Sequence, residues 1–255
     1  MSKGKIAAVV AIVVLVVLAG ILWIRDRAGE EASQPMVAEV TPAPEPTPTP
    51  SPFSGISLAG SDVAVRETVS GLTTAPEWVR WLAHDDLVRR FVASVNLVAK
   101  GRSPRSQLGF LRPRTPFRVV ERDGAVYVDP ASWHRYDTVV SVVTSIDPAR
   151  AATLYREIHP LLDEAYREIS QPGARFDDLL AKAVQHLLET PIPESSPELV
   201  EKVVTWRYAD PALEGLSDAQ RQLLRLGPEN ARKVQDWLRA FMHALESDPS
   251  AASSN

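Results

Sequence analysis

Residues 176–191 read FDDLLAKAVQHLLETP. Phe176, Leu179, Leu180, Ala183, Val184, Leu187 and Leu188 recur at spacings of three and four, the period of one helix face. No other stretch carries so clean an apolar stripe. It predicts a long amphipathic helix packed on a core of similar helices, and therefore a mostly α fold.

The flanking sequence repeats the pattern. Upstream, Leu154, Tyr155, Ile158, Leu161, Leu162, Ala165, Tyr166 and Ile169 form a second stripe, with Pro160 inside it as an expected kink. Asp147-Pro148 opens that helix, pairing a capping side chain with a Pro at the first helical position. Asp129-Pro130 predicts a similar start for a helix holding Trp133, Tyr136, Val139, Val140 and Val143. Leu87, Val88, Phe91, Val92, Val95 and Val98 predict a further helix, capped by Asp85 or Asp86. Ser61 is the expected cap of a first helix through Val69. Downstream, Ser217 with Gln220 reads as a capping box. Gly227-Pro228 then opens a last helix with Ala231, Val234, Trp237, Leu238, Phe241 and Leu245 on one face.

Strand signals are few. Phe117–Glu121 and Ala125–Asp129 flank the turn Asp123-Gly124, and Val203–Tyr208 is a candidate third strand. The expected fold is mostly α (an α-rich α+β): one globular helical domain over 53–246 with a small β-hairpin. A polar, disordered tail is expected over 247–255.

The N-terminal part is organised differently. Ile6 to Ile24 carries no polar side chain and spans about 28 Å at helical rise, close to the hydrocarbon thickness of a bilayer. A cleaved signal peptide has a shorter apolar region, and a core helix keeps a polar stripe. The chain has no Cys, which excludes a lipoprotein signal. The expectation is a cytoplasmic tail at 1–5, a transmembrane anchor at 6–24 and a Pro-rich linker at 25–52. Lys3, Lys5 and the amino group face Arg25 and Arg27 across the anchor, a nearly balanced count. The amino group tips it toward a cytoplasmic N-terminus and a C-terminal domain in the periplasm. Prolines at 42, 44, 46, 48, 50 and 52 favour an extended polyproline stalk.

The formal net charge of −4 argues against a nucleic-acid binder. The least ordinary charge pattern runs from Lys100 to Val120, which holds six Lys or Arg and no acid. Arg105, Arg112, Arg114 and Arg118 are the candidate binding residues. Their guanidinium forks suit phosphate or carboxylate groups, as on lipids, cell-wall peptides or an acidic protein face. The competing reading pairs them internally with Glu157, Asp163, Asp177 or Asp178.

Catalytic signals are weak. The five His show no metal-ligand spacing. No metal and no cofactor is expected, and no Gly-rich phosphate loop or G-x-S-x-G elbow is present. His159 and Asp163 share a helix face as an oriented base, but sequence places no nucleophile beside them. His84-Asp85-Asp86 reads as a helix start. Glu194 and the pair Asp177-Asp178 are candidate carboxylates whose separation sequence cannot define.

Several stretches together resemble a known family. They are HDDLVRRFVASVNLVAKG (84–101), LRP (111–113), LYREIHPLLDEAYREI (154–169), FDDLLAKAVQHLLETP (176–191) and YADPALEGLSDAQRQLLRLGPEN (208–230). With the anchor and Pro-rich spacer they resemble the domain of unknown function 3014 family, over roughly residues 53–245. The segment from Tyr208 to Asn230 is the most specific. The resemblance implies a bacterial cell-envelope protein and carries no assigned activity or catalytic residue. The expected role is a membrane-anchored periplasmic interaction or scaffold protein. The alternative is a peptidoglycan-directed hydrolase.

Overall fold

The computed structural model describes residues 53, 55–203 and 205–247. The expected tail at 1–5, anchor at 6–24, linker at 25–52 and all but Ser247 of the C-terminal tail lie outside the described residues. Among the described residues no helix is long and apolar enough to cross a membrane.

The described chain is mostly helical with a small antiparallel sheet. The helices are α1 (Ser61–Val69), α2 (Pro76–Leu82), α3 (Leu87–Ala99), α4 (Asp137–Thr144), α5 (Pro148–Arg167), α6 (Phe176–Leu188), α7 (Pro211–Glu214), α8 (Asp218–Leu224) and α9 (Pro228–Glu246). Strands β1 (Val119–Arg122) and β2 (Ala125–Val128) precede α4, and β3 (Glu198–Lys202) and β4 (Thr205–Tyr208) follow α6.

The stripes read from sequence meet in one core. Helix α5 packs on α9, and α3 packs on both α5 and α6. Val95 and Val98 of α3, Leu154 and Ile158 of α5, Leu187 of α6 and Val234 of α9 are all buried. Each such side chain contributes about 1.5–3 kcal/mol through removal from water. Aromatic edges and faces fill the junctions: Phe91 meets Phe176 at 5.7 Å and Trp237 stacks on Phe241 at 5.3 Å between centroids. A second cluster, Val128, Leu199, Tyr208, Leu213 and Leu224, lies under the sheet.

The Asp-Pro starts behave as their chemistry dictates. Asp147 Oδ1 accepts the Arg150 N–H at 2.8 Å, and Asp210 Oδ1 accepts that of Ala212 at 2.8 Å. Ser217 and Gln220 form the full capping box. Two other caps differ from expectation. Ser61 is the first residue of α1, and its hydroxyl donates back to Leu58 O. Asp86 stands at the N-cap position of α3, but its side chain makes no capping hydrogen bond. Asp86 adopts a left-handed conformation, φ 57°. Asp62 of α1 reaches across instead, accepting the N–H groups of Asp86 at 2.7 Å and Leu87 at 3.0 Å.

Other boundaries also moved. The segment after Asp129 is not one helix: two 3-10 turns, Pro130–Ser132 and His134–Tyr136, precede α4. Helix α5 runs through Pro160 as one element and stops at Arg167, short of Ile169. The expected single hairpin is a four-stranded sheet of order β1-β2-β3-β4. Val126 pairs with Leu199, and Glu201 with Trp206. Strand β3 escaped notice because Leu199 is its only buried residue. The turn after it carries a 95 % exposed Val203 rather than a Gly or Asn turn signal.

The turn between α8 and α9 is the tightest point. Gly227 sits at φ 84°, ψ 163°, a region open essentially to Gly alone. A Cβ there would stand 2.4 Å from Cγ of Trp133. Gly227→Ala is therefore expected to destabilise the protein by about 3 kcal/mol or more, combining backbone strain and overpacking. Gly124→Ala, at φ 78° with no atom within 4 Å of the new Cβ, should lose only about 1 kcal/mol. Urea unfolding of both variants checks this; equal losses would refute the packing contribution.

Candidate functional site

The basic stretch begins where α3 ends. Gly101, at φ 70°, turns the chain against α8, and its carbonyl accepts the Ala219 N–H at 3.1 Å. Ser217 Oγ, which caps α8, also lies 2.7 Å from His186 Nε2 on α6. Pro104, Leu108 and Leu111 are buried and hold the loop down. The far end is pinned by Ser132, whose hydroxyl accepts the Arg118 N–H at 2.8 Å and donates to Arg118 O at 2.9 Å. Arg135 braces it further, donating to Thr115 O and lying over the rings of Phe117 and Tyr136.

This frame leaves Arg112, Arg114 and Arg118 exposed and Arg105 half-buried. Arg118 Nε lies 3.7 Å from Asp129 Oδ2, a long and solvated pair. Arg105 and Arg112 both engage other groups. Two of the internal partners considered above are committed elsewhere: Asp163 and Asp177 flank His159.

A second arginine cluster lies at the root of the loop. Arg225 is the residue closing α8. Its charge couples to Tyr208 of β4, to Tyr136, and to Arg221 and Arg105. Part of its surface touches solvent, yet burial pulls the guanidinium pKa below its ordinary value. Among the described residues its guanidinium makes no hydrogen bond or ion pair, while its backbone N–H donates to Arg221 O at 3.2 Å. Arg221, in contrast, is satisfied by Glu214 O and Asp218 Oδ1, both at 2.6 Å. Burial raises the pKa of both Tyr136 and Tyr208, so both phenols stay protonated. Sequence reading missed Arg225. The available signal was a charge set inside an apolar run, Leu223-Leu224-Arg225-Leu226.

Two His-carboxylate groupings complete the inventory. On α5, His159 Nδ1 lies 3.3 Å from Asp163, and Nε2 lies 3.0 Å from Asp177 at the start of α6. Tyr155 donates a short hydrogen bond to the same Asp177 oxygen, and Arg175 reaches the other at 3.1 Å. The helix stays regular enough through Pro160 for the predicted His159–Asp163 pair to form, and Asp177 is the stronger partner. This arrangement works as a clasp between α5 and α6. The other grouping lines an open groove of about 560 Å³ between α4 and the start of α9. There His134 Nδ1 lies 2.8 Å from Asp137 Oδ2, and buried Asn230 donates to Asp137 Oδ1 at 2.8 Å. Among the described residues no group of His, Asp and Glu is arranged to hold a metal ion.

The clasp has a pH signature. The hydrogen bond to Asp177 outweighs burial and raises the His159 pKa, while His159 holds Asp177 well below the usual carboxylate range. The His159 contribution is fully present below its unfolded value of 6.5 and is lost as pH rises through its raised folded value. The Asp177 contribution is present above 3.8 and is lost only as pH falls through its depressed value. His159→Gln should therefore destabilise most between pH 3.8 and 6.5, with the deficit shrinking at alkaline pH. A deficit constant with pH in unfolding titrations would contradict the clasp.

No curated protein and no solved structure matches the chain. One family model does, over residues 87–242, the family described as Protein of unknown function (DUF3014). The match runs from the first residue of α3 into α9 and takes in the basic loop, the sheet, Arg225 and the His134 groove. It covers well over half of the sequence, so the chain belongs to the domain of unknown function 3014 family.

Proposed function

We propose that this protein is a membrane-anchored interaction module of the bacterial envelope. In this reading Ile6 to Ile24 is a single-pass inner-membrane anchor. The Pro-rich segment to Pro52 is a stalk, and the helical domain stands in the periplasm. The domain captures an anionic partner, such as an acidic envelope protein or an anionic cell-wall or lipid group. The observation that carries the reading is the exposed, single-sign face of Arg112, Arg114 and Arg118, with Arg105 at its base. Asp163 and Asp177, two acids that could have paired with these arginines, are engaged by His159 and Arg175 instead. Guanidinium groups held on a braced loop lose little freedom on docking to a carboxylate or phosphate.

One observation favours the hydrolase reading. His134 is oriented by Asp137, which is itself held by buried Asn230, and the groove beside them is open. A base oriented by a carboxylate is the arrangement that general-base hydrolysis uses. This pair replaces His159 and Asp163 as the hydrolytic candidate, because the latter are closed into the clasp.

Crosslinking of the full chain in its own envelope, with a C-terminal tag, tests the docking role. The triple variant Arg112→Glu, Arg114→Glu, Arg118→Glu should lose capture by at least about tenfold, since each bidentate pair contributes about 1 kcal/mol or more. Its melting temperature should stay unchanged. Retained capture, or collapse of the melting transition, would overturn the docking face. The hydrolase reading predicts soluble fragments from cell-wall material incubated with the protein, and their loss in His134→Ala. Equal release by both proteins would remove it.

A further inference from the structure

The basic loop runs straight into a sheet edge. In the order β1-β2-β3-β4 the two outer strands are β1 and β4. The ladder bonds fix which backbone groups each of them turns outward. Asp129 N–H donates to Arg118 O at 3.2 Å, across the pair one step beyond Val119 and Val128 in the β1–β2 register. Bonded pairs alternate along an antiparallel ladder. Val120 and Arg122 therefore bond toward β2, while Val119 and Glu121 turn N–H and C=O away from the sheet. The neighbouring ladder agrees. Val128 N–H donates to Pro197 O at 3.2 Å, which leaves Tyr127 to bond with Val120.

The two edges are finished differently. Ala209 N–H donates to Glu198 O at 2.9 Å, so on β4 the same alternation turns Trp206 and Tyr208 outward. There Glu214 Oε2 accepts the Tyr208 N–H at 3.0 Å, and the protein's own carboxylate covers part of the edge. Among the described residues no group outside the sheet bonds to the main chain of Val119 or Glu121.

The side chains of the β1 edge carry one sign on one face. Arg118, Val120 and Arg122 alternate onto the face opposite Val119 and Glu121. Arg118 is exposed and has only its long contact to Asp129. Arg122 is exposed and makes no ion pair among the described residues. Two copies of this edge meeting antiparallel about Val120 would set Arg118 against Arg122, and like charges placed opposite repel. A strand with acids at those places is attracted instead.

We infer that the outer edge of β1 takes an acidic peptide in extended conformation as an added strand. Antiparallel addition continues the sheet, whose ladders are all antiparallel. The peptide pattern is an acid, any residue, an apolar residue, any residue and a second acid. The acids meet Arg122 and Arg118, and the apolar side chain packs on half-buried Val120. The two intervening residues bond to the main chain of Glu121 and Val119. This inference rests on the docking face proposed above, which shares Arg118, and adds Arg122 and the β1 main chain to it.

The test uses the full chain in detergent and a capped seven-residue peptide carrying an uncharged fluorophore. The peptide has Asp at its second and sixth positions, Val at the fourth and Thr elsewhere. Fluorescence anisotropy at low ionic strength should show saturable binding. N-methylation at the third and fifth positions removes the two inward N–H groups and leaves every charge, and affinity should fall by at least about tenfold. N-methylation at the fourth, whose N–H points away from β1, should change affinity by less than about twofold. Arg122→Glu should weaken binding by about fivefold, and a peptide with Lys in place of its first Asp should restore it. Equal affinity of all the N-methylated and unmethylated peptides would overturn strand addition. If that binding were lost in the triple variant at Arg112, Arg114 and Arg118, the docking face would still stand. No peptide binding by a native chain that captures its envelope partner would also overturn strand addition alone. The N-methylation pattern reads the β1 main chain, so it decides the inference whether or not the triple variant loses its partner.

Discussion

The contact between the Gly227 backbone and the Trp133 ring sets the geometry of everything around it. A Cβ at 227 has no room, and the backbone angles there admit no other residue readily. That contact closes the corner between α8 and α9 onto the turns that lead into α4. On one side of the corner Arg225 closes α8. On the other, Asn230 is delivered to Asp137 and the open groove. The end of α8 and the open groove thus depend on one close approach of backbone to indole.

The charges divide in the same way. Along α5 and α6, His159, Asp163, Asp177, Tyr155 and Arg175 satisfy one another, and the result is a joint between helices. Around the basic loop the pairing is looser, with Arg118 3.7 Å from Asp129. Burial lowers the Arg225 pKa, and polar atoms of Ser103 and Gln222 have no partner among the described residues. Core packing gives no reason to keep Gln222 fully buried, because an apolar side chain of that size would avoid the desolvation cost.

The helical framework was legible because its signals are local and periodic. The stripes of α3, α5, α6 and α9, the Asp-Pro starts and the Ser217–Gln220 box all follow from spacing alone. Long-range contacts were not legible. Asp62 caps α3 from a distance of more than twenty residues, and nothing in the sequence near Leu87 announces it. Strand β3 buries one side chain, so its alternation is too faint to read. The basic loop was visible as a run of one sign. Arg225 was not singled out, since it looks like any charge at the end of a short helix.

The most direct test of the docking face is the salt dependence of partner capture by the full chain. Capture that falls steeply as ionic strength rises from about 0.05 M to about 0.5 M is the predicted result. Capture indifferent to salt would contradict it.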